Sequence, residues 1–376
     1  MKRYNILFTI AIVIFCFGGQ LNAGNPQNNP NDDNPDSSKQ FSINVKDIRI
    51  GKNVKIKTSN SKKMDNRKPD RIEQKTFSNI NDIELDHKYG NVVIKESDSK
   101  NVMLEIQYFD GKHEQASCEI ITKNKILVIN TINAGKNDMK INYIINLPKN
   151  IGLSVLLKYG NMKADKISGT FDARLAYSNL DINTISSKNS TVTLRYGKMN
   201  IGETQDMAIL LAYSNLTIDK AKTIDLSGNY NKIVINKIDN ITMDKSSSYN
   251  SYQIEEITDF KASMKYDKIK INNLKSSLDI SCAYTDINVK ITSPKVKDVK
   301  IKGSYSDIII NLDSNMSAFF DSQVKYGDLI VSKMHKVKYT EQINKSNYSQ
   351  KKGQIGDKTP NTNIIVSNTY SDIKIR

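Results

Sequence analysis

Residues 171–218 read FDARLAYSNLDINTISSKNSTVTLRYGKMNIGETQDMAILLAYSNLTI. Each of Tyr177, Tyr196 and Tyr213 is followed three positions on by an apolar residue (Leu180, Met199, Leu216) and five positions on by isoleucine (Ile182, Ile201, Ile218). Ahead of the tyrosine the apolar residues again fall two apart, as in Phe171-Ala173-Leu175. Spacing of two is the signature of a strand with one buried face. The unit therefore holds two strands joined at the tyrosine.

Working outward, the tyrosine recurs at 159, 177, 196, 213, 230, 249, 266, 284, 305 and 326, in steps of 17 to 21 residues, with further copies at Tyr89 and Tyr370. Counting tyrosine as zero, position +3 is apolar or aromatic in all copies, and +5 is isoleucine except at Ala164, Val289 and Val331. Positions +1 and +2 are small or polar, which suits a sharp corner. The tyrosine is in phase with the apolar −2 residue, so it is expected to point inward, with the alternation broken between zero and +3.

The same strand in the same direction at each copy stacks like on like, about 4.8 Å per rung. An antiparallel meander would reverse the pattern. Leucine-rich spacing is absent, and the gaps do not keep the strict sixes of a hexapeptide helix. The expected fold is all-β: a parallel β-solenoid, that is a single-stranded β-helix of about 18-residue rungs with right-handed coiling favoured. An N-terminal β-hairpin insertion or cap completes it. In that region Ile83, Leu85, His87, Tyr89, Val92 and Ile94 form one good rung, and alternating runs at 102–108, 118–121, 126–131 and 141–147 read as hairpin strands. Residues 59–75 and 340–362 read as polar, Lys-rich loops, and Ile364, Val366, Tyr370, Ile373 and Ile375 as a last rung.

Residues 1–23 read as a signal peptide: Lys2 and Arg3 precede the apolar run Ile6–Phe17, and Leu21-Asn22-Ala23 is an acceptable cleavage site. That run is shorter than the roughly 20 residues of a membrane span. Residues 24–40 carry three prolines and no large apolar side chain, the composition of a disordered linker. The domain reading is then an N-terminal β region over 41–158 and the repeats over 159–376. Export places the chain in the periplasm, on the outer-membrane surface or outside the cell.

Of 55 basic and 40 acidic residues, only Lys2 and Arg3 leave with the signal, so the mature balance is +13. A basic exported chain points to an anionic glycan or another cell-envelope polymer, while nucleic acid is excluded by export and by the lack of a recognition module. Cys118 and Cys282 remain, on distant rungs, and are expected as free thiols rather than a disulfide. His87, His113 and His335 stand alone and no CxxC occurs, so no zinc site is expected.

The rung HKYGNVVI (87–94), the segment IINLPKNIGLSVLLKYGNM (144–162) and the closing IIVSNTYSDIKIR (364–376) resemble the bacterial, Bacteroidota-type exported putative-adhesin family with β-strand repeats, a domain of unknown function. The likeness covers about residues 70–376. It implies the solenoid fold and an adhesin-like role, and it brings no catalytic motif.

Three sets of residues were weighed as sites. The tyrosine column could offer sugars an aromatic platform, but an internal packing ladder is the expectation. Asp286, Asp307 and Asp328, at +2 on what the order of the chain makes successive rungs, with Asp372 repeating the position, could gather a cation such as Ca²⁺, but are expected to cap turns. No carboxylate pair stands out for glycoside cleavage. No catalytic, cofactor-binding or metal-ligating residue is therefore assigned and no cofactor is expected. The expectation is a non-enzymatic, adhesin-like rod. A polysaccharide-cleaving β-helix enzyme and a periplasmic envelope-stress accessory protein are the alternatives.

Overall fold

The computed structural model describes residues 67–243, 247–331 and 336–376. Residues 1–23 and 24–40, expected as signal peptide and linker, the first half of the 59–75 stretch and His335 lie outside them. The described residues form twenty-four strands in one hydrogen-bonded array and no helix.

The N-terminal end is built from β1 (Arg71–Phe77), β2 (Asp82–Ser97), β3 (Val102–Phe109), β4 (Ser117–Lys123), β5 (Ile126–Asn133), β6 (Lys140–Pro148) and β7 (Gly152–Ile167). β2 runs parallel to β7 on one side and parallel to β5 and β6 on the other. The rung Ile83–Ile94 is thus sandwiched, and β5 with β6 forms a rung outside it. This differs from the expected hairpins. Only β3 and β4 run antiparallel, closing the end over β6 and β5, and β1 pairs antiparallel with β3. Part of the supposed loop 59–75 is therefore strand. Its exposed face hides the alternation, because an edge strand buries little.

The middle comprises β8 (Phe171–Ala176), β9 (Asn179–Ile185), β10 (Ser190–Arg195), β11 (Lys198–Ala212), β12 (Asn215–Asn229), β13 (Lys232–Met243), β14 (Ser251–Lys265), β15 (Lys268–Ala283) and β16 (Asp286–Ile291). All of their pairings are parallel. Ile182 pairs with Ile201 and Ile201 with Ile218, and the file continues through Ile235, Ile254, Ile271 and Val289. These side chains are buried, as are those of the +3 file from Met162 to Ile287. Burying each such aliphatic side chain stabilises the stack by about 1.5–3 kcal/mol. A third buried file at +8 (Ile167, Ile185, Thr204, Ala221, Ile238, Ile257, Leu274) carries no alternating neighbours, which is why the sequence pattern alone misses it.

The C-terminal end holds β17 (Asp298–Ser304), β18 (Ile308–Leu312), β19 (Ala318–Lys325), β20 (Leu329–Val331), β21 (Val337–Lys345), β22 (Tyr348–Ile355), β23 (Thr362–Thr369) and β24 (Ile373–Ile375). The last rung does not follow the one before it. β23 lies between β17 and β19, and β24 between β18 and β20, all parallel. Asn368 Nδ2 clips the inserted rung to Ser306 O at 2.6 Å, and Thr362 Oγ1 donates to Val296 O at 2.7 Å. The supposed loop 340–362 is mostly the antiparallel hairpin β21–β22, whose second strand pairs with β19. At both ends, then, an antiparallel cover lies over a swapped order of rungs.

Candidate functional site

The tyrosines do not point inward. All twelve (Tyr89, Tyr159, Tyr177, Tyr196, Tyr213, Tyr230, Tyr249, Tyr266, Tyr284, Tyr305, Tyr326, Tyr370) have a left-handed backbone, with φ between 51° and 61°. Tyr159 to Tyr370 are exposed, from 37% at Tyr266 to 53% at Tyr177 and Tyr213. A left-handed residue resets the phase of a strand. Position −2 faces in, −1 and zero face out, and +1 faces in, so the break lies at the tyrosine itself rather than after it.

This conformation costs an L-residue roughly 1–2 kcal/mol, and two sets of contacts offset it. The backbone ladder continues through the corner: from Tyr177 to Tyr305, and at Tyr370, the tyrosine N–H donates to the −1 carbonyl of the neighbouring rung, as from Tyr177 to Arg195 O at 2.9 Å and from Tyr196 to Ala212 O at 3.0 Å, while Tyr326 N–H donates to Asn347 O at 2.9 Å. The rings also stack on one another. Neighbouring centroids lie 4.7–5.3 Å apart with planes 4–18° from parallel, along the whole file from Tyr89 to Tyr326. Each aromatic pair adds about 0.5–1.5 kcal/mol beyond its burial. Tyr370 stacks between Tyr305 and Tyr326, in line with the inserted rung.

Behind the ridge, position +1 is buried and polar at Ser178, Ser214, Asn231, Asn250, Asp267, Thr285 and Ser306. The side chain on one rung accepts the backbone N–H of the rung before: Ser214 N–H to Asn231 Oδ1 at 2.9 Å, Asn231 to Asn250 at 3.0 Å, Asn250 to Asp267 at 2.6 Å, and Thr285 to Ser306 Oγ at 3.0 Å. Burial pushes the Asp267 carboxyl up to about 6, against the bonds it accepts from the Asn250 and Lys265 N–H groups. This spine fixes the corner, and its signal was present in the sequence as a +1 residue never large and apolar.

The remaining sequence candidates fall apart or are engaged locally. Asp307 and Asp328 are not on adjacent rungs, because the Asp372 rung lies between them. Asp372 accepts from Asp328 N–H at 3.0 Å and pairs with Lys374 at 3.3 Å, and Asp307 accepts from Ser371 Oγ at 2.5 Å. Among the described residues no three His, Cys, Asp or Glu are grouped to hold a metal ion. Both cysteines are free, Cys282 buried and Cys118 half-buried with its Sγ 3.3 Å from Tyr108 Oη. His113 is exposed. His87 is buried at position −2, its Nδ1 2.8 Å from Thr131 Oγ1 and its ring edge-on to Tyr143, and burial pushes its pKa down to about 3. It is a neutral core histidine. A depression of about 220 Å³ lined by Asp82, Glu84 and Asp172 falls below the size of a small-molecule pocket.

No family model and no curated protein matches the chain. Solved structures that resemble it include a "putative adhesin" from Parabacteroides merdae (12% identity, 82% of this chain and 98% of that one, TM-score 0.29) and one from Parabacteroides distasonis (15%, 81% and 99%, TM-score 0.25). A "putative cell adhesion protein" from Clostridium sporogenes matches at 12% identity over 82% of this chain and 99% of that one, with a TM-score of 0.17. The overlap with each is loose. Among the described residues no helix is long and apolar enough to cross a membrane.

Proposed function

We propose that the chain is an exported, non-enzymatic, adhesin-like protein of the cell envelope or surface, whose tyrosine ridge binds a glycan or another envelope polymer. The observation that carries this is the file of twelve stacked rings, eleven of them exposed. A fold has no need to leave eleven tyrosines half in water on left-handed residues when asparagine or glycine takes that backbone more cheaply. The rings cover each other's faces, so a sugar ring has no π-face to stack on within the file. It meets ring edges and phenolic hydroxyls, one set per step of about 5 Å. Each contact is weak, and affinity comes from repetition along a linear partner.

The test is a screen of the purified chain on immobilised envelope polysaccharides, with the variant Tyr196→Gly/Tyr213→Gly/Tyr230→Gly beside it. Glycine suits the left-handed backbone, so the corner survives while the ridge is interrupted. Saturable binding without product, weakened at least tenfold in the variant, supports the reading. Release of sugar fragments, or binding untouched by the variant, refutes it.

A further inference from the structure

The charges beside the ridge are not evenly spread. On the eight rungs from Tyr89 to Tyr266, the outward positions −1 and +2 carry Lys88, Lys158, Arg195, Lys198, Lys232, Lys265 and Lys268, with Asn91, Asn161, Asn179 and Asn215, and no carboxylate. On the four rungs beyond, position +2 is Asp286, Asp307, Asp372 and Asp328 without exception. The ridge therefore has a basic run of seven steps, roughly 35 Å at this rung spacing, and after it a run of four carboxylates at +2 with a single cation at −1, Lys325, over the Tyr326 ring at 5.2 Å.

The ion pairs of the coil lie away from these cations. The far corner of the coil neutralises itself: Lys166 pairs with Glu96 at 3.3 Å, Lys220 with Glu203 at 2.7 Å, and Lys237 and Lys275 with Glu256 at 3.0 and 3.1 Å. Among the described residues Arg195, Lys198, Lys232 and Lys268 have no ion pair at all, and they are exposed. Lys265 rests over the Tyr266 ring at 4.9 Å. These ridge cations are displayed without an ion pair, as are Lys163, Lys222, Lys270 and Lys290 at other outward positions; what is particular to the ridge is that positions −1 and +2 carry cations and no carboxylate through Tyr266. The neighbours of the ridge cations are amides and phenolic hydroxyls that can hydrogen-bond a partner.

We propose that the ridge is a polarised track: a linear anionic polysaccharide lies along the Tyr89–Tyr266 run, axis parallel to the stack, and is excluded from the Tyr284–Tyr326 run. The inference rests on the binding role proposed above. One step of the ridge is about the length of one extended sugar residue, and from Tyr159 on the cations recur on every second rung (Lys158, Arg195 and Lys198, Lys232, Lys265 and Lys268), so every second carboxylate of an extended uronic-acid chain can meet one. Rungs in register turn single weak contacts into a multivalent one. At the far end Asp286, Asp307, Asp372 and Asp328 repel the same polymer within a Debye length of about 10 Å at 0.1 M salt.

Polygalacturonate is the probe, with its fully methyl-esterified form as the uncharged counterpart and polyglutamate as a polyanion lacking sugar rings. The variant Lys198→Asp/Lys232→Asp/Lys268→Asp gives these rungs the +2 residue that the C-terminal rungs already carry, so the fold tolerates it. It is expected to lower polygalacturonate affinity at least tenfold. Asp286→Lys is expected to raise affinity about threefold by lengthening the track. Methyl-esterification or 0.5 M salt should abolish most binding. Polygalacturonate binding indifferent to both substitutions, or polyglutamate bound equally well, overturns this inference while leaving the ridge as a binding surface. Failure of any glycan, charged or neutral, to bind the wild-type chain removes the broader reading with it.

Discussion

Replacing Asp267 by asparagine should stabilise the protein at neutral pH. Asp267 is 5% exposed, inside a corner where its neighbours in the same file are Asn250 and Thr285. Burial raises its carboxyl to about 6, against about 3.9 in an unfolded chain. Between those values the folded protein holds a proton that the unfolded chain has released. The stability this lends is complete below the unfolded pKa and is lost as pH rises through about 6. Two units correspond to about 3 kcal/mol, the cost of a buried carboxylate at pH 7.5. Asparagine avoids that cost and keeps the acceptor for Asn250 N–H. Its amide can also do what Asn250 Nδ2 does in donating to the Gly228 carbonyl at 2.9 Å. Thermal unfolding of Asp267→Asn and wild type at pH 7.5 and pH 4.5 measures this directly. The variant should melt a few degrees higher at pH 7.5, and the advantage should shrink to about a third of that at pH 4.5. Equal destabilisation at both pH values would refute the placement of a charged group in the spine.

Further expectations follow from other buried groups. His87, held neutral with its pKa near 3, contributes stability that is present above about pH 6.5 and falls away as the solution is acidified; by pH 5 the loss is about 2 kcal/mol. His87→Leu, the residue its column holds at Leu157 and Leu175, should flatten that slope in a denaturant titration. Gly135 sits at φ 93° against the Tyr89 ring, where an added Cβ would lie 2.1 Å from Cε2, so Gly135→Ala should displace Tyr89 and cost about 1–3 kcal/mol in thermal unfolding. Ending the chain after Asn361 removes the inserted rung with Ile364, Val366, Ile373 and Ile375, about 6–12 kcal/mol of burial. Because rungs depend chiefly on their neighbours, limited proteolysis should then cut from β19 onward while the rungs up to Tyr284 stay protected.

The parallel stack was legible because +5 is isoleucine in nine of the twelve copies and +3 is apolar or aromatic in all of them, and Ile182, Ile201 and Ile218 do share one file. The direction of the tyrosines was not, because alternation reports phase only along an uninterrupted strand. A single left-handed residue turns an apparently inward position outward. Aromatic side chains rarely adopt that conformation, so nothing in the residue type announces it. The inserted rungs were hidden for another reason. β2 and β24 have the same pattern as every other rung, and which copy each neighbours is decided by the length of β3–β4 and β21–β22, not by the repeat. The unpaired state of Lys198, Lys232 and Lys268 likewise needs the positions of their neighbours on other rungs.

Nitration of the folded chain, mapped residue by residue by mass spectrometry, reaches the outward ridge most directly. Tyr159, Tyr177, Tyr196, Tyr213, Tyr230 and Tyr249 should be modified readily, whereas Tyr108, Tyr143 and Tyr252, at most 4% exposed, should stay intact until the protein unfolds. Protection of the repeating tyrosines to the same degree as Tyr143 would mean that they pack inside the coil, and the binding surface described for them would not exist.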